Sequence, residues 1–166
     1  MRMKTDYYGD IEYEKEDLIT FPDGLFGFSD LKDYLLLYLD EGDDSLLLMQ
    51  SCERPEIAFT VINPFLLCPD YAPVLTPEEL YFLDVKDSGD LSYYVICVLQ
   101  ECYLDNTVNL RCPLAVNPDT RVGAQVILES SVYGYRHKLR SFFDITETDH
   151  PEDRSECHAD SQTQEK

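Results

Sequence analysis

Hydrophobic and polar residues alternate with a period of two in many short segments of this chain. Across residues 7–13 the uncharged side chains fall on one side, while Asp10 and Glu12 fall on the other, as in a strand with one face in solvent. Further short segments rich in aliphatic, β-branched and aromatic residues predict strands over residues 18–21, 34–39, 46–50, 57–62, 91–100, 114–116 and 122–128.

One segment predicts a helix. Thr76 can cap it, Pro77 suits its first position, and Glu79 completes a capping box. Many short strands separated by turn residues, with a single short helix, predict an all-β domain. We expect a small antiparallel β-barrel or sandwich-like domain, because the strands do not alternate with helices.

The composition of the chain changes near its C-terminal end. Residues 145–166 contain seven acidic and two basic residues, and Ile145 is their only large aliphatic side chain. Such a segment has too little apolar surface to form a core. The sequence therefore predicts a β domain over residues 1–144 and a disordered acidic C-terminal tail over residues 145–166.

The charge of the chain is strongly negative. Asp and Glu number 33 against 13 Lys and Arg, a formal net charge of -20. Binding to nucleic acid depends on basic side chains that displace counterions from phosphate. We therefore expect no direct binding of nucleic acid.

Two further features bear on location and cofactors. The first residues lack the apolar stretch of a signal peptide, and the most apolar run, residues 93–99, is too short to cross a bilayer. We expect a cytoplasmic protein without membrane contact. The six cysteines form no Cys-x-x-Cys pair, so we expect neither a metal site nor a cofactor.

Catalytic signatures are weak. His137 is the only histidine within the predicted domain, and neither Ser51 nor Cys52 lies in a nucleophile motif. We expect no enzymatic activity. The alternative is an enzyme of unknown reaction that uses a polar cluster on a small β-barrel.

A set of motifs, in a fixed order over about residues 9–139, resembles the family of the flagellar assembly factor FliW. They are Gly-Asp-Ile-Glu-Tyr at 9–13, Phe-Pro-Asp-Gly-Leu-Phe-Gly-Phe at 21–28, Gln-Ser at 50–51, Ala-Phe-Thr-Val-Ile-Asn-Pro-Phe at 58–65, Pro-Asp-Tyr at 69–71, Thr-Val-Asn-Leu-Arg at 107–111, Pro-Leu-Ala-Val-Asn-Pro at 113–118, Gly-x-Gln-Val-Ile-Leu at 123–128 and Tyr-x-Tyr-Arg-His at 133–137. Single motifs of this kind are weakly specific, whereas the ordered set is strongly so.

The resemblance implies a non-enzymatic β-barrel-like protein of the bacterial cytoplasm, which we expect to be a monomer. Members of this family bind newly made flagellin. They also bind the RNA-binding repressor CsrA and relieve its block on flagellin translation. Flagellin and CsrA are therefore the expected partners.

The expected contact residues are Asn63, Phe65, Asp70, Tyr71, Arg136 and His137. The strand predicted over residues 57–62 runs into a loop at Asn63-Pro64, because Pro disfavours the helical conformation of the residue before it. Loops held by a rigid scaffold often carry such contacts. Structural roles are equally open at this point: Phe65 could fill one end of the barrel, and Asp70 could hold a turn. Arg136 and His137 could form an internal ion pair with one of the many carboxylates.

Of the two aromatic residues, we expect Phe65 to lie in the core, because it directly follows the strand predicted over residues 57–62. We expect Tyr71 to be exposed, because Pro69 and Asp70 turn the chain outward.

Overall fold

The computed structural model describes residues 1–6, 8–40, 43–130 and 132–142, and most of its regular structure is β-strand. The strands are β1 (Arg2–Thr5), β2 (Gly9–Glu12), β3 (Leu18–Thr20), β4 (Asp33–Asp40), β5 (Asp43–Ser51), β6 (Ala58–Ile62), β7 (Ser92–Val98), β8 (Thr107–Val108), β9 (Leu114–Val116), β10 (Gly123–Gln125) and β11 (His137–Lys138). The helices are α1 (Pro64–Leu67) and α2 (Pro77–Phe82), with 3-10 turns at Lys15–Asp17, Ser88–Asp90, Tyr103–Asp105 and Leu139–Phe142. The predicted tail, residues 145–166, lies outside the described residues.

The strands form one large antiparallel sheet and a separate β1–β2 hairpin. The order in the large sheet is β10-β9-β7-β6-β5-β4-β3, and β8 pairs with both β7 and β11. Strand β7 is central, because one of its edges pairs with β6 and the other pairs first with β9 and then with β8. The prediction of an all-β fold is confirmed.

The two ends of this sheet meet at a single point. Thr20, at the end of β3, forms one parallel bridge with Val122, and its N–H donates to the carbonyl of Arg121 at 2.9 Å. No ladder of pairs joins β3 to β10 in the described part of the chain. The architecture is therefore a curled sheet rather than a closed barrel.

Each face of the sheet packs against a hydrophobic core. On β7, Tyr93, Val95 and Cys97 pack into one core, while Tyr94 and Ile96 pack against the other. This alternation follows from the period of two along a strand. The first core also contains Leu67, Tyr71, Leu75 and Leu83, which come from α1, the loop between α1 and α2, and the C-terminal cap of α2. That connection therefore covers one face of the sheet.

The helix predicted at Thr76 is confirmed. The Thr76 hydroxyl accepts from the Glu79 N–H at 3.2 Å, and the Glu79 carboxylate accepts from the Thr76 N–H at 2.8 Å. Helix α1 was not predicted, because Asn63 followed by Pro64 suggested only a strand running into a loop. The same pair starts a helix instead, with Asn63 as its cap and Pro64 in its first turn.

The Gly-rich segment after β3 needs glycine at two positions. Gly24 has φ +72° and Gly27 has φ +84°. A Cβ atom on Gly24 would lie 2.6 Å from the Phe28 carbonyl oxygen, whereas one on Gly27 would meet nothing within 4 Å. Gly24 is therefore required by both its backbone conformation and the close approach of Phe28.

Candidate protein-interaction surface

Helix α1 holds two apolar side chains at the surface. The side-chain oxygen of Asn63 accepts from the Phe65 N–H at 2.9 Å, and Pro64 and Leu67 are buried beneath the helix. Phe65 and Leu66 lie between these buried residues and remain 38% and 57% exposed. A short capped helix thus presents Phe65 and Leu66 on a fixed backbone.

Tyr71 lies in the core below this helix. It is only 4% exposed, and its hydroxyl donates to the Leu110 carbonyl at 2.6 Å. Burial raises the pKa of Tyr71 well above its ordinary value, and neighbouring Tyr133 adds to the shift. The expectation of an exposed Tyr71 and a core Phe65 is therefore wrong. After α1 the chain turns inward, since the Tyr71 N–H donates to the Cys68 carbonyl at 2.9 Å.

Tyr133 links the α1 region to the segment that carries Arg136 and His137. Its ring centroid lies 4.7 Å from that of Tyr71, and its hydroxyl accepts from the Ala72 N–H at 2.9 Å. Phe65 also contacts Tyr71, at 5.7 Å between ring centroids. A continuous series of aromatic contacts therefore runs from α1 to residue 133.

Arg111 and Tyr135 continue this surface. The Arg111 N–H donates to the Gly134 carbonyl at 3.1 Å, and the Arg111 guanidinium carbon lies 5.7 Å from the centre of the Tyr135 ring. Tyr135 is 56% exposed. We call Phe65, Leu66, Arg111, Tyr133 and Tyr135 the α1 surface. Aromatic and arginine side chains of this kind are frequent energetic anchors in protein interfaces.

The remaining expected contact residues differ in exposure. Asp70 and Arg136 are exposed, whereas His137 is half-buried on β11 and its Nε2 accepts from the Gly134 N–H at 2.7 Å. Within the described ranges, neither Arg136 nor His137 forms an ion pair with a carboxylate. That Asn63, Phe65, Asp70, Tyr71, Arg136 and His137 contact a partner stays a prediction.

Leu66, Arg111, Tyr133 and Tyr135 were not among the expected contacts. Three of them lie in motifs that carry the family resemblance, Arg111 at the end of Thr-Val-Asn-Leu-Arg and the two tyrosines in Tyr-x-Tyr-Arg-His. Those two motifs were the sequence signal that could have identified Arg111, Tyr133 and Tyr135 as candidate contacts. Their juxtaposition depends on the pairing of residues 107–111 with 134–138, which sequence spacing does not reveal.

The groups considered for nucleophilic chemistry have structural roles. The Ser51 hydroxyl accepts from the N–H groups of Glu53 and Arg54 at 3.2 and 3.1 Å, which closes a turn. Burial raises the pKa of Cys52 to about 12, and the charges of Asp33 and Glu53 add to this effect. The Cys52 thiol is therefore protonated at neutral pH and is a weak nucleophile.

Neither described helix is long and apolar enough to cross a bilayer. Among the residues that the structure describes, no three His, Cys, Asp or Glu side chains are grouped so that they could hold a metal ion.

Comparison with known proteins settles the family. The family model described as "FliW protein" matches residues 2–139. The chain belongs to the FliW family. The flagellar assembly factor FliW of Ruminiclostridium cellulolyticum is 36% identical over 139 residues, covering 84% of this chain and 94% of that protein. The flagellar assembly factor FliW of Alkaliphilus metalliredigens is 34% identical and is covered over 86% of its length.

A solved structure supports the same assignment. The crystal structure of a flagellar assembly factor FliW matches with a TM-score of 0.75 and 33% identity, over 84% of this chain and 96% of that chain. The whole α1 surface lies within the residues matched by the FliW family. The predicted acidic tail lies outside them. The FliW relatives are named as assembly factors, and those names carry no catalytic role.

Proposed function

We propose that this protein is a non-enzymatic, cytoplasmic flagellar assembly factor that binds flagellin and the translational repressor CsrA. By binding CsrA it relieves the block on flagellin translation, and flagellin competes with CsrA for the protein. Membership of the FliW family supports the flagellar role. The observation that carries the binding role is the α1 surface, where apolar and aromatic side chains are exposed on a backbone fixed by the Asn63 cap and the buried Tyr71.

The α1 surface suits protein binding for a physical reason. Phe65 and Tyr135 are held by ring contacts to Tyr71, Tyr93 and the Arg111 guanidinium. Aromatic rings that are already ordered lose little conformational entropy when a partner covers them. Each such ring can therefore contribute on the order of 2 kcal/mol to an interface.

The charge of the protein suits antagonism of an RNA-binding partner. A body with a formal charge of -20, bound to CsrA, adds negative potential near the RNA-binding surface of CsrA. The added potential weakens the binding of RNA phosphates without covering the RNA site. The same charge accelerates association with a basic partner, because opposite charges steer the encounter.

Isothermal calorimetry with purified flagellin and purified CsrA tests the binding role. Leu66→Ala and Tyr135→Ala remove exposed groups from the α1 surface, and we expect at least one partner to bind about tenfold or more weakly. Tyr81→Ala is the matched control, because Tyr81 is 88% exposed on α2 and outside the α1 surface. Unchanged affinity of both variants for both partners would exclude this surface as the interface.

A further inference from the structure

A group of basic side chains interrupts the acidic surface of this protein. Arg111, Arg136, Lys138 and Arg140 are four of the 13 Lys and Arg in the chain, and residues 132–142 contain no Asp or Glu. The pairing of β11 with β8 and the hydrogen bond from the Arg111 N–H to the Gly134 carbonyl bring them to one region. We call these four residues the basic strip.

The basic strip is only partly neutralised. Asp105 accepts from Arg140 at 2.8 Å and lies 3.9 Å from the Lys138 ammonium nitrogen. In the described part of the chain, neither Arg111 nor Arg136 forms an ion pair. The Nε of Arg111 is shielded from solvent and finds no hydrogen-bond acceptor among the residues that the structure describes. Lys138 and Arg140 therefore share one carboxylate, and among the described residues the basic strip holds more cationic groups than carboxylates in contact with them.

The chain itself supplies a matching segment beside the strip. The described residues end at Phe142, whose ring centroid lies 6.0 Å from that of His137 on β11. Residues 143–166 follow directly and contain eight acidic and two basic residues. The FliW family match ends at residue 139, so the acidic segment lies outside the matched domain.

Tethering makes an internal contact favourable. A flexible chain of this length has a root-mean-square end-to-end distance of roughly 27 Å, which exceeds the spacing between strands several-fold. A short flexible tether gives an effective concentration on the order of millimolar. Weak charge pairs between the segment and the strip therefore form within the molecule at concentrations where a separate acidic peptide would not bind.

We propose that the acidic segment, residues 144–166, docks on the basic strip of its own molecule. Docked there, it lies next to Tyr133 and Tyr135 and limits access to the α1 surface. The second statement rests on the proposed function, whereas the docking does not. The segment would act as a tethered competitor whose strength falls as salt screens the charges.

Heteronuclear NMR on the free protein tests the docking without any partner. The full chain is compared with a full-length variant in which the eight acidic residues of 144–166 are replaced by Asn or Gln. At about 0.05 M NaCl we expect different amide shifts at Tyr135 and Arg136, and a different Nε–H shift for Arg111. At about 0.5 M these differences should largely vanish, because the screening length falls from roughly 14 to 4 Å.

Two charge reversals make the test specific. Arg136→Glu, placed in both proteins, should remove most of the shift difference at the strip. Lys86→Glu makes the same change at an exposed residue outside the strip and should leave the difference in place. Superimposable strip resonances in the two proteins at low salt would overturn the proposal, as would equal effects of the two reversals. Failure of the protein to bind CsrA or flagellin would instead refute the proposed function and leave the docking result unaffected.

Discussion

Tyr71 is the side chain that fixes the loop beneath the α1 surface, and its removal should be costly. Tyr71 is 4% exposed and packs against Phe65 and Tyr133, and its hydroxyl donates to the Leu110 carbonyl at 2.6 Å. Tyr71→Ala removes both the ring and the hydrogen bond. Truncation of a buried aromatic residue to Ala typically costs about 3–5 kcal/mol.

Companion variants separate the contributions. Tyr71→Phe keeps the ring but leaves the Leu110 carbonyl without its donor, which should cost about 1–3 kcal/mol. Phe65→Ala should cost about 2 kcal/mol, less than Tyr71→Ala, because Phe65 is 38% exposed to solvent and therefore buries less apolar surface. Tyr81→Ala, at a residue that is 88% exposed, should change the free energy of unfolding by less than about 0.5 kcal/mol.

Urea unfolding followed by circular dichroism, together with thermal melts, measures these differences. At roughly 2–4 °C per kcal/mol for a protein of this size, Tyr71→Ala should lower the thermal midpoint by about 6–20 °C. If Tyr71→Ala were to unfold like the parent, or like Tyr81→Ala, Tyr71 would not be part of the core. The α1 surface would then lack the rigid support on which the proposed function relies.

The buried tyrosines, the glycines at positive φ and the acidic tail should each respond to a defined perturbation. Burial raises the pKa of Tyr34 and of Tyr93 to about 12, above the unfolded value near 10. The unfolded state loses these protons first, so the free energy of unfolding should fall from about pH 10 to 12. Urea titrations at stepped pH measure this fall, and a free energy of unfolding that stays constant over that range would contradict it. Gly24→Ala should destabilise the protein by more than about 2 kcal/mol, because the added Cβ would lie 2.6 Å from the Phe28 carbonyl oxygen. Gly27→Ala should cost about 1 kcal/mol, because only its positive φ is unfavourable. Equal thermal midpoints of the two variants would show that the close contact at Gly24 does not matter. Deletion of residues 145–166 should shift the thermal midpoint by less than about 4 °C at 0.5 M salt, because the segment has little apolar surface to bury. A larger fall of the midpoint in calorimetric scans would show that the segment packs on the domain.

Most of the longer strands and α2 were predictable because their signals are local, whereas β1 (Arg2–Thr5) was not predicted. Alternation marked β2, apolar segments marked β4 to β7, and the Thr76–Glu79 capping box marked α2 within the length of each element. Two-residue strands such as β8 and β11 carry no such signal. They exist because the chain brings residues 107–108 and 137–138 together.

The candidate site was harder to predict because exposure depends on tertiary packing. Phe65 follows a buried strand, which suggested a core position, and Tyr71 follows Pro69 and Asp70, which suggested an outward turn. In the structure Phe65 is exposed and Tyr71 is buried, because the Asn63 cap starts a helix that places Phe65 on its outer side. The acceptor of the Tyr71 hydroxyl is the Leu110 carbonyl, 39 residues away, and no local pattern could reveal it.

Measuring the affinity of CsrA for a flagellin leader RNA, with and without this protein, tests the central claim most directly. In gel shifts at saturating protein we expect a higher dissociation constant for the CsrA–RNA complex and no binding of RNA to the protein itself, given its charge of -20. Raising salt from about 0.05 to 0.5 M should weaken this antagonism beyond the effect of salt on CsrA and RNA alone. An unchanged CsrA–RNA dissociation constant at saturating protein would contradict the account.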